Sequence, residues 1–142
     1  MRDMGTPHKK MQELCDCFAE TDPLKEMALL GTDVDKEEAA LKWLALAILH
    51  GVDRNAKKIC LERTAKGYVK AEAEYRDVEL PTPGAEIGGK VIEAARQISH
   101  IEGDKGEMPI AVGIRDSSIE IRMEVERKHG DEKITLTFGK LR

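Results

Sequence analysis

The chain has 142 residues, of which 41% are hydrophobic, 35% charged and 4% aromatic, with a formal net charge of −4. Residues 1–66 hold 11 basic and 12 acidic side chains, and residues 67–142 hold 12 and 15, so neither half is a basic arm for phosphate and few rings are present to stack bases. The longest apolar run, Trp43 to Leu49, is too short to span a bilayer, the opening MRDMGTPHKKMQEL has no apolar signal core, and three cysteines are an odd number. These features point to a cytoplasmic protein that binds neither nucleic acid nor membrane.

Helical signals dominate the first 66 residues. Thr6 can cap a helix with Pro7 at its first position, and Met11, Leu14, Cys15 and Phe18 recur at helical spacing. Asp22-Pro23 restarts a short helix whose apolar residues are Leu24, Met27, Ala28 and Leu30, and Gly31 ends it. Asp35 and Glu38 resemble a capping box before a third helix. Its stripe of Leu41, Leu44, Ala45, Ile48 and Val52 is joined by Trp43, Leu46, Ala47 and Leu49, so it is apolar nearly all round. A fourth helix is expected from Asp53 through Ala56, Ile59 and Cys60 to about Lys66.

Period two then takes over. Val69, Ala71, Ala73 and Tyr75 alternate with Lys70, Glu72, Glu74 and Arg76. Ala, Glu and Lys favour helix, but the alternation favours strand, which is the reading preferred here. Pro81-Thr82-Pro83-Gly84 is a break. Ile87, Val91, Ala94, Ala95, Ile98 and Ile101 form the stripe of a covering helix, with Gly103 beyond it and Gly106 in the next loop. Residues 108–139 read as a three-stranded meander. Ile110, Val112 and Ile114, then Ile119, Ile121, Met123 and Val125, then Ile134, Leu136 and Phe138 fall on one face. Asp116-Ser117-Ser118 and Lys128-His129-Gly130-Asp131-Glu132 supply the turns.

The expected fold is α+β, with an N-terminal helical segment followed by a helix-covered small antiparallel sheet. Residues 1–66 form the helical segment and residues 67–142 a β-α-β-β-β segment, packed as one compact unit.

No set of residues announces a reaction, so the catalytic residues are unknown. Cys15 and Cys17, with His8 nearby, are two soft ligands of the four that a tetrahedral metal needs, and on a helix they point about 200° apart. Cys60 and His50 would need hydrogen-bond contact to form a nucleophile and its base. Each has a structural reading: Cys60 on the inward stripe of a fourth helix, His50 and His100 at helix ends beside the negative pole of the dipole, and His129 solvated in a turn. Glu120, Glu124 and Glu126 with Arg122 form the wet face of a strand. Gly88-Gly89 suits close helix–sheet packing better than an anion site. No metal and no cofactor is expected.

The leading expectation is a non-catalytic interaction or regulatory protein, acting as a homodimer through Trp43, Leu46, Ala47 and Leu49, with a protein partner possible. The alternative is a small enzyme or ligand-binding protein with a pocket between the helical segment and the sheet or at a subunit interface.

Overall fold

A computed structural model of the chain describes residues 7–30, 35–74, 78–81, 84–114 and 117–138. Three helices come first: α1 (Pro7–Cys17), α2 (Pro23–Leu29) and α3 (Lys36–Arg54). Strands β1 (Lys58–Arg63), β2 (Val69–Glu74) and the two-residue β3 (Val78–Glu79) follow, then α4 (Gly84–Ser99), β4 (Lys105–Ile114), β5 (Ser117–Lys128) and β6 (Asp131–Phe138). The strands form one antiparallel sheet in the order β3-β2-β1-β6-β5-β4. This is an α+β fold with an N-terminal helical segment and a helix-covered antiparallel sheet.

The helix boundaries follow from cap chemistry. Asp22 accepts from the amide of Lys25 at 3.4 Å with Pro23 opening α2, and Asp35 accepts from that of Glu38 at 3.0 Å. The α3 helix ends at Asn55, which takes the left-handed conformation at φ 54°. The amide of Asn55 bonds to the carbonyl of Val52 and that of Ala56 to the carbonyl of Gly51, closing the last turn. At the end of α4, His100 takes the left-handed position (φ 59°) and the amide of Ile101 returns to the carbonyl of Arg96. His100 thus lies at the helix end, as expected, with its side chain exposed. The expected caps Thr6 and Gly31 lie outside the described residues.

The fourth helix expected at residues 53–66 is not formed. After Asn55 breaks the helix, Ile59 and Leu61 alternate with Lys58, Cys60 and Glu62 as strand β1, which pairs with β2 on one side and β6 on the other. Both rows of its backbone groups are paired, and a helix in its place would leave the facing edges of β2 and β6 without partners. A turn at Thr64–Tyr68, with Gly67 at φ 92°, joins β1 to β2 across the boundary expected near residue 66.

The preferred strand reading of residues 69–76 holds for Val69–Glu74, and Tyr75 and Arg76 lie outside the described residues. The meander forms as expected, with Ile119, Ile121, Met123, Val125, Ile134 and Leu136 buried and Phe138 packed against the core. His129 and Gly130 both have positive φ in the turn from β5 to β6. Gly106 is part of β4 opposite Val125, not of a loop.

One face of this sheet is covered by α4 and, over β1 and β6, by α3; α1 and α2 pack on α3. Residues 43–51 of α3 are enclosed on all sides, with Trp43, Leu46 and Ala47 at 0% exposure and Leu49 at 1%. The Trp43 indole N–H donates to the carbonyl of Pro81 at 3.2 Å. The apolar circumference that suggested a dimer is thus covered within a single chain. Gly88 is the close-approach point of α4 on the sheet, since a Cβ there would lie 2.8 Å from a methyl of Val69.

Candidate functional site

The sheet's two faces have opposite chemistry, because successive strand residues point to opposite sides. On the face away from the helices, pairing register aligns three rows across the sheet. The first runs Glu74, Lys58, Thr137, Arg122, Pro109. The second runs Glu72, Cys60, Thr135, Glu124, Glu107, and the third Lys70, Glu62, Lys133, Glu126, Lys105. The third row alternates in sign at every step, so each carboxylate has a lysine on either side at cross-strand spacing. The second carries three glutamates and no cation.

Ion pairs tie these rows together. Arg122 reaches Glu107 at 3.0 Å and Lys70 reaches Glu72 at 3.4 Å. Both pairs are half exposed to water, so each contributes at most about 1 kcal/mol; Arg122–Glu107 crosses from β5 to β4 and can favour their register, whereas Lys70–Glu72 lies within β2. Between β1, β6, β5 and β4 the face dips into a groove of ≈ 320 Å³ with Cys60 and Thr135 on its floor and Lys58, Glu124 and Lys133 among its walls. A neighbouring groove of ≈ 260 Å³ lies between β1 and β2 over Cys60, Glu62 and Glu72. The Cys60 thiol donates to the Thr135 hydroxyl at 3.6 Å.

Cys60 was expected on the inward side of a helix. It lies instead on the open face, with β1 between it and the helical layer. His50 sits on that other side, buried in α3 at 2% exposure. Lying in the body of α3 with a further turn beyond it, His50 is not a helix-end residue. Burial lowers its pKa most, the charge of Arg54 lowers it further, and Asp53 and Asp22 act in the opposite direction. The sheet separates Cys60 from His50, so they do not form a nucleophile and base.

The other candidates are also dispersed. Cys15 is 1% exposed with its thiol directed at the carbonyl of Ala45 at 3.9 Å, while Cys17 is exposed. Burial, helped by the charge of Asp16, pushes the Cys15 thiol up to about 12, which leaves it an inert apolar group. His8 does not join them; it bonds to the carbonyl of Ala111 at 2.9 Å. His129 is exposed in its turn. Among the described residues, no three of His, Cys, Asp or Glu gather as a metal would require. No described helix is long and apolar enough to cross a membrane. A shallow depression of ≈ 240 Å³ between the start of α3 and α4 is lined by Glu37, Glu38, Lys90 and Glu93, with Lys90 and Glu37 4.0 Å apart.

Comparison of the chain with protein-family models and with curated proteins gives no match. Sequence reasoning found Lys70, Glu72, Glu74, Arg122, Glu124 and Glu126 as wet strand faces but missed Lys58, Cys60 and Glu62 on β1, Lys105 and Glu107 on β4 and Lys133 on β6. The signal was present: Lys58-Ile59-Cys60-Leu61-Glu62 alternates as the meander does.

Proposed function

We propose that the chain is a non-catalytic interaction or regulatory protein of the cytoplasm, and that its working surface is the open face of the sheet. The contrast between the two faces carries this reading. Beneath α3 and α4, the side chains of Ile59, Leu61, Ile121, Met123 and Leu136 are at most 1% exposed. A substrate pocket at that junction would need the space they fill. On the opposite side, Glu72, Glu107 and Glu124 line up between two lysine-bearing rows. Ordered charge over a broad surface supports recognition of a complementary charged protein partner, where it sets specificity and association rate. Three free cysteines suit a reducing compartment. Self-association through Trp43, Leu46, Ala47 and Leu49 has no part in this reading, since one chain already covers them.

Charge reversal tests the proposal. The double variant Glu72→Lys, Glu124→Lys is compared with wild type for retention of partners from an extract of the native cells. The expected result is about tenfold weaker retention, equivalent to about 1.4 kcal/mol, while Glu13→Lys on α1 behaves as wild type. Partner recovery that ignores the open face, or a small molecule that copurifies in stoichiometric amount, would contradict it.

A further inference from the structure

Strand β4 is a sheet edge, and an edge presents backbone groups that can pair with another strand. Helix α1 occupies part of that edge. The Gln12 side-chain amide donates to the carbonyl of Gly113 at 2.6 Å and accepts from the amide of Gly113 at 2.7 Å. This is the two-bond exchange that a residue of a neighbouring strand would make. The second N–H of the same amide donates to Asp16 at 3.3 Å, which fixes its orientation. One turn earlier, His8 donates to the carbonyl of Ala111. Four residues of helix rise about 6 Å and two residues of strand about 6.7 Å. Positions 8 and 12 therefore keep step with positions 111 and 113, and α1 substitutes for a strand.

Both backbone groups of Gly113 point outward, so those of Ala111 and Glu107 do too, and Pro109 has no N–H to offer there. Between Met108 and Ile114 the strand carries no charge. It is also self-complementary. Antiparallel pairing about a two-fold axis at Ala111 sets Ala111 against Ala111 and Ile110 against Val112, with no like charges opposed along residues 108–114 and the apolar residues of both copies on the covered face. Helix α1 has 11 residues, short of the length at which a helix is stable alone, and its fully buried apolar anchors are Met11 and Cys15.

We infer that α1 is a removable guard on the β4 edge, and that the strand it excludes is β4 of a second copy of this chain. Gln12 is the principal blocking residue and His8 its support. Open-face charge reversals leave this equilibrium unchanged, so it stands or falls separately from the function proposed above.

The test is sedimentation of the full chain over a range of concentrations. Wild type is expected to run as a monomer. Gln12→Ala with His8→Ala is expected to pair about tenfold more tightly or better, and adding Ala111→Pro, which removes an outward N–H that β5 does not use, is expected to restore the monomer. Should the double variant not fold, Gln12→Glu keeps the packing but sets a carboxylate against the Gly113 carbonyl, and it is expected to dimerise as well. A folded variant that stays monomeric, pairing that ignores Ala111→Pro, or a wild type already paired through β4 would overturn the inference.

Discussion

Gly51 shows how tightly the helical layer meets the sheet. A Cβ at that position would lie within 2.7 Å of three ring carbons of Phe138. Gly51→Ala would gain about 1 kcal/mol of helix propensity, yet overpacking against an aromatic ring costs about 1–3 kcal/mol. The expected outcome in denaturant unfolding is net destabilisation, and Phe138→Leu should remove most of that penalty. His50 gives a second test. Its imidazole has an ordinary pKa of 6.5 in the unfolded chain, and burial lowers it in the fold. As pH falls the unfolded chain takes up the proton first, so this contribution to stability is complete above about pH 6.5 and is lost below it. Unfolding midpoints should decline from about pH 7 towards pH 5 in wild type and decline less steeply in His50→Gln.

At the scale of elements, strand β1 organises the sheet. Its backbone is paired on both sides, and Ile59 and Leu61 are buried at 1% and 0% exposure. Hydrogen exchange should make this visible: amides of β1 should open only with global unfolding, and those of β3 at the edge much sooner. Rapid exchange through Lys58–Arg63 would remove the central strand from the account. The meander was legible in the sequence because its alternation runs long in β5, where Ile119 to Val125 leave no helical alternative. Strand β1 was not. Its alternation covers few residues, and Ala56, Ile59 and Cys60 also fit a helical spacing. What decides between them is pairing with β6, more than 70 residues away in Cys60↔Thr135, which no local pattern reports. The same error put Cys60 on the wrong side of its element, and so the open face was read only in fragments. The closure of α3 by its neighbours was likewise not legible, because α1 and α2 are short and their combined cover depends on how they pack.

For the whole molecule, the α3 and α4 layer fills one side of the sheet, α1 closes part of one edge, and the remaining broad surface is the ordered charge array on the other side. In the function proposed above, the open sheet face is the working surface, and the second row is where its acidic charge concentrates. Carboxyl footprinting tests this claim most directly. The protein is labelled in buffer and again in an extract of its own cells, and modification is read residue by residue. Glu72 and Glu107, both exposed in the isolated chain, should lose labelling in the extract, while Glu13 on α1 and Glu86 on α4 should label equally in both. Equal labelling of Glu72 and Glu107 in the two conditions, or protection confined to Glu13 and Glu86, would contradict the assignment of the open sheet face as the working surface.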